Sequence, residues 1–211
     1  RDIIEYGQVP TEKVSLIYQS CAKRFGAETD AAVLQQVAQH YQLPQRYILN
    51  VGSIETRKNV LQAVQALPYL PSDVSLVIIG RHTPYTDRML QYVHEHHLDQ
   101  RVRVLHGVPD EHLPALYAMA EAFVYPSVYE GFGIPPLEAM SLGTPVILSD
   151  IPVYQEIYGK YPVTFFEAGN ADELYKMLKA LPASPVDVDE LIASTYTYEK
   201  TARKIMQALA G

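Results

Sequence analysis

The sequence predicts an α/β fold: a doubly wound sheet of six parallel strands with helices on both faces. Two observations carry that prediction. Six short apolar runs, rich in Val and Ile, recur at residues 47–51, 75–79, 102–105, 122–125, 145–148 and 163–166. Uninterrupted apolar runs of that length are the pattern of strands buried on both faces. Segments with helical spacing separate them, and strand–helix–strand alternation implies right-handed crossovers within a parallel sheet.

The elements follow in order. Pro10, Glu12 and Lys13 read as a turn, and residues 14–18 as a short strand. We take residues 1–25 as a linker or edge segment and residues 26–211 as the domain proper, beginning with a helix over 31–41. After the first buried strand, Val60, Leu61, Val64 and Leu67 share a helical face, with Asn59 as the expected N-cap. Met89, Leu90 and Val93 mark a helix after the second strand. Leu113, Leu116, Tyr117 and Ala120 mark one after the third, opened by Asp110. Leu174, Met177, Leu178 and Leu181 follow the sixth strand, and a last helix carries Tyr198, Ala202, Ile205 and Leu209. Six such strands suit the order 3-2-1-4-5-6. In that order strands 1 and 4 are neighbours at the switch point, and ligands bind beyond their carboxyl ends. Attention therefore falls on the loops after Val51 and Tyr125.

Composition narrows the functional classes. A chain of 211 residues buries roughly 70% of its unfolded surface and needs no staples. The single cysteine, Cys21, forms no internal disulfide and suits a reducing, cytoplasmic setting. A formal net charge of −7 gives no general attraction for nucleic acid or anionic membranes. No apolar run reaches the ~20 residues of a membrane span, and no signal peptide is visible. The chain begins at Arg1 rather than Met, so a fragment or a processed product is expected.

The stretch after the fourth strand carries the chemistry: Pro126-Ser127-Val128-Tyr129-Glu130-Gly131-Phe132-Gly133-Ile134-Pro135-Pro136-Leu137-Glu138-Ala139-Met140. A glycine-containing loop leads into a helix expected to start at Pro135 or Pro136, since proline fits a first helical turn. Amides of that turn and of the glycines form a site for an anion. Glu130 and Glu138, the latter expected in the first turn, suit hydroxyl groups rather than phosphate. A ligand with a central diphosphate and hydroxyls at each end, such as a sugar nucleotide, satisfies the whole arrangement. Capping of the helix by the two glutamates is the plain alternative.

This pattern of two glutamates with seven residues between them, Gly-Phe-Gly among those seven and Glu-Ala-Met at the end, resembles the signature of family-four, or group 1, glycosyltransferases. These are retaining enzymes built from two Rossmann-like domains. Asn50-Val51-Gly52 with Arg57-Lys58-Asn59, the helix of Leu113 to Ala120, Gly143-Thr144-Pro145-Val146-Ile147, Pro152 to Gly159 and the opening Tyr6-Gly7-Gln8-Val9-Pro10 agree with it. The likeness covers nearly the whole chain and implies the C-terminal, donor-binding domain. It implies that Glu138 holds the ribose hydroxyls and Glu130 the donor sugar. The amides around Gly131, Phe132, Gly133 and Ile134 would contact sugar and phosphate, Gly52 would open the first loop, and backbone groups near Gly107 and Val108 would meet the base.

By the same resemblance, Lys58 binds the diphosphate and helps it depart. Many members carry an arginine directly after the first glycine of this loop. Here Ser53 stands there, and Arg57 is the nearest substitute. In an acidic protein such local cations must supply the attraction; one close charge pair is worth ~4 kcal/mol at an effective dielectric near 20.

Weaker signals have plainer readings. Asp187-Val188-Asp189 fits a metal motif of another glycosyltransferase fold, but it follows Pro182 and Pro185 at a helix start, where capping explains it. His94 and His97 would share a helix face beside His96, without carboxylate or cysteine partners, so a solvated face is the reading. His106 and His112 bracket the turn after the third strand and are expected near the base. Cys21 has no evident base partner. A nicotinamide enzyme would need G-x-G-x-x-G after the first strand, and Gly52 to Lys58 lacks it.

The expected function is transfer of a sugar from a UDP-, GDP- or ADP-sugar to an acceptor hydroxyl with retention. No metal or further cofactor is implied. Lys58, Glu130 and Arg57 are the expected catalytic groups. The acceptor would sit on an N-terminal domain outside this chain, leaving the chain inactive alone. That domain could associate peripherally with the inner face of a membrane. The rival reading is a non-catalytic nucleotide-sugar-binding or interaction module.

Overall fold

The computed structural model describes residues 2–26, 29–180 and 196–210. Six strands, β1 (Arg46–Val51), β2 (Val74–Ile79), β3 (Val102–Leu105), β4 (Ala122–Tyr125), β5 (Val146–Ser149) and β6 (Thr164–Phe166), form one sheet in the order β3-β2-β1-β4-β5-β6. Every pairing is parallel. The helices are α1 (Asp2–Glu5), α2 (Ala31–His40), α3 (Leu61–Ala66), α4 (Pro84–Glu95), α5 (Leu113–Ala118), α6 (Ile134–Ser141), α7 (Pro152–Tyr158), α8 (Ala171–Lys179) and α9 (Tyr198–Ala210).

Successive strand residues face opposite sides of the sheet, and the core divides accordingly. Leu49, Val77, Ile79, Phe123, Tyr125 and Leu148 pack with α5, α6 and α7 on one face. Ile48, Leu76, Ile78, Ala122, Val124 and Ile147 pack with α3, α4 and α8 on the other. Buried on both sides, the strands read as solid apolar runs. Local chemistry starts the longer helices. The Asp30 side chain accepts from the amide of Ala32 at 2.7 Å. Thr83 and Thr86 form a reciprocal box around Pro84, and the Asn170 side chain accepts from the amide of Glu173 at 3.0 Å.

Several local expectations are corrected. Residues 14–18 join no ladder; they run unpaired over the sheet's carboxyl edge. Asn59 does not cap α3. It is left-handed, φ 50°, closing a 3-10 turn over Thr56–Lys58, a conformation asparagine tolerates, and its side-chain amide donates to Gln62 at 2.9 Å. Leu67 falls just past α3, because Pro68 tightens the chain into a second 3-10 turn, Leu67–Tyr69. Asp110 pairs with Arg24 at 2.8 Å rather than opening α5. His94 and His97 share no helix face: α4 stops at Glu95, and His97 is left-handed with φ 56°. His96 stacks on Tyr92 instead, 3.8 Å between ring centres. The last helix forms, yet its apolar side is not packed, with Ile205 43% and Leu209 78% exposed. Leu181 and Asp187-Val188-Asp189 lie outside the described residues. Among the described residues, no helix is long and apolar enough to cross a membrane.

The ends of β1 and β2 meet at Gly80. A Cβ there would lie 2.1 Å from the carbonyl oxygen of Gly52, so only glycine lets the two strand ends close. Gly80→Ala is expected to lower unfolding stability by about 1–3 kcal/mol, the usual penalty for atoms forced into a packed site. Urea denaturation reads this, and an unchanged midpoint would mean that the strand ends part freely.

Candidate functional site

A cavity of about 640 Å³ opens at the carboxyl edge of the sheet, where β1 and β4 are neighbours. Gly52, Lys58, Tyr125, Glu130 and the loop Gly131, Phe132, Gly133, Ile134 line one side of it. Residues 16–19 and Val153, Glu156 and Ile157 of α7 line the rest.

The 3-10 turn after β1 folds Lys58 back against the end of β4. The two loops are stitched together by the amide of Val128, which donates to the carbonyl of Arg57 at 2.8 Å. Beneath them, the Asn50 side chain donates to the carbonyl of Val124 at 2.8 Å. Lys58 is thereby only 8% exposed. Its ammonium donates to the Tyr125 hydroxyl and pairs with Oε1 of Glu130. Ser127 Oγ donates to the same oxygen at 3.0 Å, and Arg57 Nη1 lies 3.2 Å from Oε2. A carboxylate offers about four lone-pair sites. Lys58, Ser127 and Arg57 engage three of them, and the Tyr125 phenol also hydrogen-bonds to this carboxylate.

The loop before α6 is shaped by aromatic packing. Gly133 is left-handed, φ 85°, and a Cβ on it would lie 2.8 Å from Cε1 of Tyr154. Its carbonyl accepts the Tyr158 hydroxyl. The helix starts at Ile134, ahead of both prolines, so Pro135 and Pro136 are its second and third residues and carry no N–H. The donors at this helix start are therefore the amides of Gly131, Phe132, Gly133 and Ile134, none of which has an acceptor among the described residues.

Glu138 is the fifth residue of α6, in the second turn rather than the first. Its Oε2 accepts the Tyr117 hydroxyl at 2.8 Å, and it does not line the cavity. Burial raises its carboxyl above the ordinary glutamate range; the Tyr117 bond and Arg24 pull it back, while Asp110 adds to the rise. Ser53, Arg57, Gly107 and Val108 also lie off the cavity lining. Arg57 reaches the site only through Glu130, and it also pairs with Glu55 at 3.2 Å. His106 bonds to the carbonyl of Gly80 at 2.6 Å and His112 to the Tyr41 hydroxyl at 2.8 Å. Burial, with Glu138 nearby, pushes the Cys21 thiol up to about 12, so it stays protonated.

Tyr125, Ser127, Tyr154 and Tyr158 escaped the sequence reading. Period-two alternation puts Tyr125 on the face of Phe123. The spacing of Tyr154 and Tyr158 puts both on one side of a helix. Only the fold turns those faces toward this loop.

Residues 35–208 match the family described as glycosyl transferases group 1. The chain belongs to that family. It is 36% identical over 197 residues to O-antigen chain mannosyltransferase B of Escherichia coli, covering 91% of this chain and 47% of the relative. With O-antigen chain mannosyltransferase RfbU of Salmonella typhimurium it shares 37% identity over 149 residues, covering 71% and 39%. The chain thus spans less than half the length of these relatives. Among solved structures, Anabaena Alr3699/HepE in complex with UDP and glucose superposes with a TM-score of 0.85 at 18% identity, over 99% of this chain and 59% of that one. The C-terminal domain of a Francisella tularensis group 1 protein, LpcC, superposes with a TM-score of 0.61 at 22% identity, over 85% and 97%. At those identities the likeness is one of fold. This group 1 chain therefore has the Rossmann-like architecture of its family.

An acid whose folded-state pKa is raised costs the fold stability above its unfolded pKa and nothing below it. Glu138→Gln in this group 1 domain is therefore expected to raise the urea midpoint at pH 7, with the gain vanishing as pH falls below roughly 4. Denaturation at the two pH values checks this; a gain of equal size at both would assign the effect to packing instead of charge.

Proposed function

We propose that this chain is the donor-binding half of a retaining glycosyltransferase, taking a nucleoside diphosphate sugar and passing its sugar to an acceptor hydroxyl. The observation that supports the reading best is the convergence of a buried lysine, a carboxylate and four unpartnered amides on one cavity at the β1/β4 switch point. The amides and Lys58 suit a diphosphate, and Glu130, on the cavity wall, suits a sugar hydroxyl that replaces one of its present donors.

As the glycosidic bond breaks, negative charge gathers on the departing diphosphate. Lys58 and the loop amides face that charge from a water-poor wall, where preorganised dipoles act strongly. On this reading they supply the positive potential without requiring a divalent metal. Glu130 orients the sugar and is not a nucleophile; its pairing with Lys58 also keeps the lysine in place before donor arrives. Glu138, anchored by Tyr117, takes the ribose hydroxyls beyond the cavity rim. The acceptor would come from a second domain, so this chain alone binds donor without turning it over. Similarity to mannosyltransferases of Escherichia coli and Salmonella typhimurium makes mannose the proposed sugar.

A thermal-shift screen of UDP-, GDP- and ADP-linked mannose and glucose tests the reading. A ligand at a hundred times its Kd stabilises the folded state by about 2.7 kcal/mol, so one base should stand out, with mannose above glucose. Calorimetry should then show Glu138→Ala weakening nucleotide and nucleotide sugar alike, and Glu130→Ala losing mainly the preference for the sugar-bearing form. No shift with any of the six ligands would sink the proposal.

A further inference from the structure

We propose that Tyr125 is a positioning residue, a neutral clamp that aims the Lys58 ammonium at the donor's diphosphate. The inference rests on the donor reading above and adds a group which that reading does not require. Tyr125 is the last residue of β4 and 1% exposed. Its ring is wedged between Phe123, 5.5 Å away, and Tyr154, 6.1 Å away. A ring so confined has one orientation, and so does the hydroxyl it carries. The ammonium donates to that phenol oxygen, which places it at the ring edge, 4.7 Å from the ring centre.

An ammonium has three N–H bonds. Tyr125 takes one and Glu130 another, so the direction of the third is set by geometry rather than by solvent. The two partners differ in what they do to the charge. Glu130 neutralises it, and any anion entering the cavity competes with that carboxylate. Tyr125 holds the lysine without neutralising it. Burial first, and the Glu130 carboxylate second, raise the phenol far above its ordinary range, so it stays protonated and repels no phosphate. When Glu130 turns to a sugar hydroxyl, the phenol still fixes the lysine.

The test compares UDP, GDP and ADP with their nucleosides by calorimetry on this chain, for wild type, Tyr125→Phe, Lys58→Ala and the double variant. Tyr125→Phe keeps the ring and removes the hydroxyl that accepts from Lys58 and also bonds to Glu130. For the base that binds best, it should cut the affinity ratio of diphosphate to nucleoside roughly tenfold, the scale of one hydrogen bond to a charged group, while nucleoside affinity holds. In the Lys58→Ala background it should add nothing. Tyr47→Phe, which deletes a buried hydroxyl bonded to the carbonyl of Leu116, should leave the ratio intact. An unchanged ratio for Tyr125→Phe in a chain that binds nucleotide overturns the proposal, as does a full further loss in the Lys58→Ala background. A second readout needs no nucleotide: acetylation of Lys58 by an N-hydroxysuccinimide ester, followed by mass spectrometry against the exposed Lys160. Tyr125→Phe should speed it several-fold. If wild type binds none of the three nucleotides, the donor reading fails and the aiming role with it; the rate then decides only whether Tyr125 holds Lys58, acceleration upholding that contact and an unchanged rate overturning it.

Discussion

A charge pair between Lys58 and Glu130 joins the two halves of the sheet at the point where its winding reverses. The carboxyl ends of β1 and β4 are splayed by that reversal, and their loops lead to opposite faces. The amide of Val128 and the side chain of Asn50 bridge the gap through the backbone; the pair bridges it through side chains, and Ser127, Tyr125 and Arg57 close around it. Such an arrangement is costly to break from one side, since the remaining ion would be left without a partner in a poorly solvated place. Its members therefore form one unit, and the shape of the cavity follows from the unit rather than from any single side chain.

The glycine loop depends on the same neighbourhood by another route. Tyr154 and Tyr158 come from α7, which follows β5, and press on Gly133 from below. The Tyr154 ring leaves no room there for a Cβ, and the Tyr158 hydroxyl holds the carbonyl. The left-handed turn in turn exposes the amides that the two prolines of α6 cannot provide. Main-chain donors and the lysine thus reach the cavity from different strands, each fixed by packing beneath it. Rigid elements below and short loops above are the usual way to hold polar groups without letting them collapse on one another.

The fold was legible because strands buried on both faces leave solid apolar runs, and all six were located within a residue or two of where they lie. Strand order followed from the alternation with helices. What misled was fine backbone geometry. Asn59 carries a capping residue's chemistry but lies one residue early, because the chain first needs a left-handed step. Residues 14–18 have a strand's composition without a strand's neighbour. In the site, Lys58, Glu130 and the glycines were visible through their spacing. Glu138 was expected in the first turn, because the helix start was set at the prolines instead of at Ile134. The tyrosines escaped notice altogether: a buried phenol looks like any core aromatic until the lysine it touches is known.

Phe132 has a consequence for the loop it belongs to. Its ring meets Tyr18, near the front of the chain, and Tyr196, which leads into the last helix. Tyr18 touches Tyr196 in turn, its carbonyl accepts the Thr201 hydroxyl at 3.0 Å, and its own hydroxyl reaches Glu156 on the cavity wall. Both flanks of the polypeptide are thus moored to one phenylalanine between two glycines. Displacing either flank therefore means moving Phe132 or breaking its ring contacts, so the placement of both flanks and of the loop between the glycines is settled together.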